Sequence, residues 1–261
     1  MTETIALTEA ANWPVSEVGG KAHALGRLIG FGAPVPPGFV VRPGAELAPE
    51  PILTAFNALG AEFVAVRSSA AGEDSLGQSW AGQFESYLYV PRAQLLSRIA
   101  DCRASGRSAR AAAYDSSRHV MPVAVVVQAM VPADVAGVMF TANPVTRDRT
   151  QLMVEAVYGL GEQLVQGLAT PDHFVLDRTG RIIEQIIPPK PTKLAGSASG
   201  LREEPVPANL QRQPALTAVQ LSELTARATG LESRFGHPLD IEFAYAKTKL
   251  FIVQARPITT L

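Results

Sequence analysis

Asp240-Ile241-Glu242-Phe243, followed by Leu250-Phe251-Ile252-Val253-Gln254-Ala255-Arg256-Pro257, reads as two short apolar strands around the turn-like Ala246-Lys247-Thr248-Lys249. Side chains alternate between the faces of a strand, so Asp240 and Glu242 share one face, as do Gln254 and Arg256. A carboxylate pair beside an amide oxygen and a guanidinium suits a magnesium-bound polyphosphate. Hard oxygen donors hold the ion, and a planar cation clamps phosphate oxygens. An ordinary hairpin with a charged solvent face has the same pattern. On this segment alone the two readings stand level.

Upstream, Leu216 to Phe235 has the period of a helix, and Phe174 to Asp177 pairs with Arg181 to Ile187 around Thr179-Gly180. Between them, residues 188–214 are rich in Pro, Gly, Ser and charge, which predicts a long mobile loop. Gln151 to Ala156 is a strand ahead of Gly159-Leu160-Gly161-Glu162. Val123 to Met130 is a buried strand, with Ala136 to Phe140 as its expected hairpin partner. Leu95 to Tyr114 is helical, alanine-rich and basic. Phe84 to Val90, Phe63 to Arg67 and Phe39 to Val41 are strands, and a brief helix covers Ile52 to Gly60. Gly19-Gly20-Lys21 opens an amphipathic stretch through Leu25, Leu28 and Ile29, a loop and then a helix. Strands predominate and the helices are segregated, which predicts an α+β fold rather than a doubly wound sheet.

The chain has 261 residues, 47% hydrophobic and 18% charged, with net charge −1. It is long enough for one large domain or two lobes. Its balance argues against disorder and against a broad basic surface for nucleic acid. The apolar run at Val123–Val127 is too short to span a bilayer, and Met1-Thr2-Glu3-Thr4 has no secretory pattern. Cys102 is the one cysteine, so an internal disulfide is excluded and a reducing cytoplasm fits. His23, His119, His173 and His237 lack metal-ligand spacing and read as surface or packing residues.

Several segments upstream have chemistry of their own. Gly19-Gly20-Lys21 sets a lysine where flexible backbone meets a helix start, although without Walker spacing; a surface lysine is the simpler reading. Val66-Arg67-Ser68-Ser69 ends a buried strand with an arginine beside two hydroxyls, suited to an anion clamp or to a structural ion pair. Ala81-Gly82-Gln83-Phe84-Glu85-Ser86 offers backbone amides and a hydroxyl, as a phosphate-covering loop or a plain turn does. Gln128-Ala129-Met130-Val131 can meet adenine with apolar and main-chain groups, or serve as core with Met130 as filler. Glu155 can accept ribose hydroxyls, assist a metal, or be a satisfied carboxylate near a turn.

Taken in order, these strings resemble the nucleotide-binding domain of the phosphoenolpyruvate synthase, pyruvate phosphate dikinase and rifampicin phosphotransferase family. The resemblance runs from Gly19 to Thr259. It rests on Gly19-Gly20-Lys21-Ala22, Val35-Pro36-Pro37-Gly38-Phe39, Val66-Arg67-Ser68-Ser69-Ala70 with Glu73-Asp74, and Ala81-Gly82-Gln83. It continues through Val127-Gln128-Ala129-Met130-Val131, Gly137-Val138-Met139-Phe140-Thr141 with Pro144, Gly159-Leu160-Gly161-Glu162 and Thr170-Pro171-Asp172. Asp240-Ile241-Glu242 and Gln254-Ala255-Arg256-Pro257-Ile258-Thr259 complete it.

The resemblance implies an ATP-grasp fold, two α+β lobes closing on ATP, here 1–121 and 122–261. By motif, Lys21 and Arg67 contact phosphates, Gly82 and Ser86 form the phosphate loop, and Gln128, Met130 and Val131 hold adenine. Glu155 takes the ribose side. Glu242 and Gln254 ligate Mg2+ with Asp240 nearby, and Arg256 meets the transferring phosphates. Lys21, Arg67 and Arg256 are thus the catalytic expectation. Ser86 stands where the family usually has threonine, and the stretch between Val41 and Phe63 is shorter than expected. The family continues into a swivelling domain whose histidine carries the phosphoryl group. Nothing follows Leu261 here, and no histidine has that glycine- and threonine-rich context; His173 is given no catalytic role. The expectation is therefore a cytoplasmic Mg-ATP-dependent phosphotransferase acting on a histidine of a separate domain or subunit and releasing AMP and phosphate. The alternatives are a self-contained ATP-grasp kinase or ligase acting on a small molecule, and a non-catalytic nucleotide-binding module.

Overall fold

The computed structural model describes residues 3–44, 46–71, 85–105, 123–197 and 200–261, and the chain divides into two units, 1–130 and 131–261. The expected boundary at 121/122 is displaced because the strand beginning at Val123 belongs to the first unit. That unit contains β1 (Thr4–Ala6), β2 (Gly38–Val41), β3 (Phe63–Ala70), β4 (Ser86–Pro91) and β5 (Val123–Ala129). They form one sheet in the order β1-β2-β5-β3-β4, with every neighbouring pair antiparallel.

β5 lies inside this sheet, which explains its unbroken apolar run. On one face Val64, Val66, Val125 and Val127 pack with Ile52 and Phe56 of α2 (Pro49–Ala58) and Ile99 of α3 (Leu95–Ser105). Helix α1 (Val15–Gly30) covers the other, burying Val18, Ala22, Leu25 and Leu28. It begins before the expected loop. Its helical path breaks at Gly19, where φ is 78° and ψ is 164°.

The expected hairpin between β5 and Ala136–Phe140 does not form. β5 pairs with β2 and β3, whereas β6 (Val135–Phe140) pairs with β7 (Gln151–Tyr158) and β12 (Leu239–Ala246). Two apolar runs close in sequence carry no information about which sheet each joins. Here Pro132, which has no N–H for a ladder, lies in the link, and Asp134 N–H donates to Tyr245 O in the second unit at 2.8 Å.

In the second unit β13 (Lys249–Pro257), β12, β6, β7, β8 (Asp172–Asp177) and β9 (Ile182–Ile186) form an antiparallel six-stranded sheet in that order. The short helix α4 (Glu162–Val165) follows β7. Leu239, Ile241, Phe243 and Tyr245 are buried on one face, and the Tyr245 hydroxyl bonds Gln220 O and Glu223 Oε2 of α5 (Ala218–Phe235), each at 3.1 Å. A capping box starts α5. Thr217 Oγ1 accepts from Gln220 N–H at 3.2 Å, and Gln220 Oε1 accepts from Thr217 N–H at 2.9 Å.

Residues 188–214 contain a hairpin rather than a structureless loop: β10 (Thr192–Ser197) pairs with β11 (Gly200–Pro205). Its composition misleads because the hairpin is held from outside. Lys190 and Asp172 form a buried ion pair, and Leu160 N–H donates to Leu194 O at 2.9 Å. At Gly159 (φ 77°) a Cβ would come within 2.3 Å of the Leu194 oxygen, so only glycine admits that approach. Among the described residues no helix is long and apolar enough to cross a membrane.

Candidate active site

The expected site residues fall into two groups, one in each unit. In the first, Arg67 lies on the α1 side of β3, directly opposite Ser86 on β4 and Val126 on β5. Ser86 reaches that position through a bulge: Val64 pairs with Val90 and Val66 with Tyr87, so β4 carries one extra residue, and Tyr89 adopts φ 53°. Two residues beyond Arg67, Ser69 bridges the break in α1. Its Oγ donates to Val18 O at 3.0 Å and accepts from Ala22 N–H at 3.1 Å. Lys21 lies within that bridged turn and is 4% exposed. Lysine loop and arginine strand are therefore one assembly, tied through Ser69. Gly82 lies outside the described residues.

Gln128 sits on the same face of β5 and has a structural bond as well. It is 2% exposed, and its amide donates to Pro36 O at 3.2 Å, holding the Pro36-Pro37-Gly38 entry to β2. Because β5 is an interior strand, it offers no ladder edge along its length. Met130 and Val131 follow its end, where Met130 N–H still bonds Phe63 O at 3.0 Å and Val131 is buried with Ala136 and Ala244.

In the second unit the face away from α5 carries two rows of directly opposed residues. One runs Gln254, Glu242, Val138, Glu155, His173 across β13, β12, β6, β7 and β8. The next runs Arg256, Asp240, Phe140, Met153, Val175. Asp240 and Gln254 are buried; Glu242, Glu155 and Arg256 are partly buried. A bulge between Glu242 and Phe243 leaves Val253 as the extra residue. Ile252 can then enter the core opposite Phe243 while Gln254 stays beside Glu242. Arg256 donates from both Nε and Nη2 to Asp240 Oδ2 at 2.8 Å.

Residues 45–261 match the family described as pyruvate phosphate dikinase, AMP/ATP-binding domain. The chain belongs to this family. Among the relatives of the pyruvate phosphate dikinase ATP-binding domain, it is 43% identical over 203 residues to the rifampicin phosphotransferase of Streptomyces sviceus, covering 76% of this chain and 23% of that protein. It is 32% identical over 314 residues to the probable phosphoenolpyruvate synthase of Methanocaldococcus jannaschii, covering 98% and 26%. The chain thus spans about a quarter of the length of these two relatives. The fold is ATP-grasp. The solved structure of the Ca. Korarchaeum cryptofilum dinucleotide-forming acetyl-coenzyme A synthetase 1 matches 97% of this chain and 92% of its own, with a TM-score of 0.50 and 12% identity.

The donor set of this ATP-binding domain fits magnesium in kind. Glu242 and Gln254 present hard oxygen donors from opposed positions, and magnesium is commonly held by one or two carboxylates with the remaining ligands from phosphates and water. A dedicated protein cage is not needed, and among the described residues no group of three or more His, Cys, Asp or Glu side chains forms one. Asp240 is differently placed, because its Oδ2 already accepts Arg256. Its geometry is that of a guanidinium holder.

Two features of this domain escape sequence reading. The buried Asp172–Lys190 pair is one: Asp172 Oδ2 also accepts Ala215 N–H at 2.6 Å, and the Lys190 ammonium lies 5.6 Å from the centre of the Tyr158 ring. Burial pushes the Asp172 carboxyl above its usual range, against the opposing pull of Lys190. Eighteen residues of chain separate the partners, so no local pattern signals them. The other is His173, opposite Glu155, whose only signal was its alternation with Asp172 and Phe174 along β8.

Proposed function

We propose that this chain is the nucleotide-binding part of a Mg-ATP-dependent phosphotransferase that passes a phosphoryl group to a histidine on a carrier domain or subunit, releasing AMP and phosphate. The observation that carries this reading is the paired arrangement of Glu242 opposite Gln254 and Asp240 opposite Arg256 on one sheet face. It sets oxygen donors for a metal beside a guanidinium held ready for phosphate oxygens. Family membership supports ATP as the nucleotide.

Phosphoryl transfer asks little covalent chemistry of a protein and much positioning of charge. Magnesium, when bound, neutralises charge developing between the phosphates. Glu242 and Gln254 are the residues that would hold it. Arg256, oriented by Asp240, is the guanidinium that would meet phosphate oxygens. Lys21 and Arg67 are the further phosphate contacts that the family resemblance implies. The main chain at Met130–Val131 offers adenine its polar edge, and Glu155 accepts the ribose hydroxyls. A reducing cytoplasmic setting suits the single, buried Cys102.

Product identification tests this. Purified chain is incubated with ATP, magnesium and a histidine carrier domain from a relative. AMP with phosphate is the expected outcome, and Glu242→Ala is expected to abolish it while leaving the thermal transition in place. ADP as the product identifies a direct kinase or ligase instead.

A further inference from the structure

The row that carries Gln254 and Glu242 ends in a second ionisable pair. His173 on β8 is directly opposite Glu155 on β7, with Nδ1 3.7 Å from Oε1. Both side chains are partly exposed, 26% and 31%. The other neighbours of Glu155 on this face are apolar: Val138 across on β6, and Met153 and Val157 along β7. At 3.7 Å the contact is longer than a direct hydrogen bond and suits an ion pair or one intervening water.

Glu155 lies two strands from Glu242, about 10 Å across the ladder, with Val138 between them. That separation is comparable with the span from the sugar hydroxyls of a nucleotide to its terminal phosphates. An ionised carboxylate only accepts hydrogen bonds, and a ribose offers two adjacent O–H donors. Glutamate is also rotamer-rich. Ordering it on binding weakens affinity unless a neighbour already restricts it.

We propose that His173 is a positioning residue: it holds the Glu155 carboxylate toward the nucleotide sugar, and so sets the preference for ribose over 2′-deoxyribose. This rests on the Mg-ATP reading given above. His173 touches no reacting atom and acts through Glu155.

The test measures binding of ATP and of 2′-deoxy-ATP, each with magnesium, by calorimetry on the full 261-residue chain. His173→Ala is expected to weaken ATP roughly fivefold, the scale of one cross-strand pair, and to leave 2′-deoxy-ATP nearly unchanged. Glu155→Gln removes the same discrimination, and His173→Gln restores part of it. Should His173→Ala unfold, His173→Phe keeps the bulk without the polar edge and serves in its place. Discrimination lost in Glu155→Gln but intact in the His173 variants overturns the role of His173. Discrimination intact in all variants shows that Glu155 does not meet the sugar, and overturns the proposal while ATP binding stands. A wild-type chain that binds neither nucleotide overturns this proposal together with the ATP reading.

Discussion

Arg256 points two donors at a single oxygen of Asp240: Nε and Nη2 both lie 2.8 Å from Oδ2. The two residues are directly opposed on β13 and β12, and Asp240 is 7% exposed. A carboxylate that fixes the guanidinium also fixes its plane, and a phosphate clamp requires that orientation. Asp240→Ala and Arg256→Ala should each lower kcat/KM for the proposed ATP-dependent phosphoryl transfer. A double-mutant cycle should give a coupling of about 0.5–3 kcal/mol, as for residues in direct contact. Additive losses would return Asp240 to the role of a metal ligand acting independently of Arg256.

Gly19 supplies a second test, in the first unit. A Cβ there would lie 2.0 Å from Ser69 O and 2.2 Å from Ser69 Oγ, and the backbone has φ +78°. Gly19→Ala therefore meets both a clash with main chain and a strained conformation, of order 1–3 kcal/mol for the backbone alone. The same substitution breaks the Ser69 bridge that places Lys21. Gly30→Ala, in the same helix, meets nothing within 4 Å. It should be neutral or stabilising by up to about 1 kcal/mol, since alanine favours helix over glycine. Urea denaturation of the two variants, with ATP affinity measured beside it, checks the contrast; equal effects at the two positions would remove Gly19 as the anchor of Lys21.

What was legible in the sequence follows from how local each signal is. The terminal hairpin carries its turn, its alternation and its four polar residues within eighteen positions, and it folds as read. The bulge at Val253 was invisible, because one extra residue changes which side chains share a face without changing composition. β5 was recognisable as a buried strand, yet its partners β2 and β3 lie far away in sequence, so the pairing with Ala136–Phe140 and the boundary at 121/122 were both misread. The β10–β11 hairpin was hidden for the same reason. Its anchors, Lys190 on Asp172 and Leu194 on Leu160, are contacts between segments with no common motif. Gln128 fits a ligand pattern, and nothing in the sequence signals that its amide also donates to Pro36 O, a partner 92 residues away.

The Asp172–Lys190 pair predicts a marked asymmetry between variants. Removing one member of a buried pair leaves an uncompensated charge, which costs about 3–5 kcal/mol. Lys190→Met should therefore destabilise strongly. The double variant Asp172→Leu with Lys190→Met leaves no buried charge. It still strands Ala215 N–H, which now donates to Asp172 Oδ2 at 2.6 Å, a loss of about 1–3 kcal/mol. The double variant should accordingly be more stable than Lys190→Met alone, by chemical denaturation. The opposite order would mean that the pair contributes net stability beyond its own desolvation.

Asp177 gives the pH dependence. Its carboxylate closes the β8–β9 turn: Oδ1 accepts from the Thr179 hydroxyl at 2.6 Å, from Thr179 N–H at 2.9 Å and from Arg181 N–H at 3.1 Å. Oδ2 accepts from Arg181 Nε at 3.0 Å. These donors, the Thr179 hydroxyl foremost, lower the Asp177 pKa from 3.8 to about 2. A carboxyl with a depressed folded-state pKa adds stability that is fully present above its unfolded value and disappears as pH falls through the folded one. The contribution is thus complete above about pH 4 and declines between 3.8 and about 2. Asp177→Asn keeps an acceptor oxygen but cannot titrate. Relative to wild type it should be less stable at neutral pH, and the difference should shrink across that acid window. Thermal unfolding of both proteins at steps from pH 6 to pH 2 measures this, and a constant difference would show that the turn owes its stability to hydrogen-bond geometry rather than to the carboxylate charge.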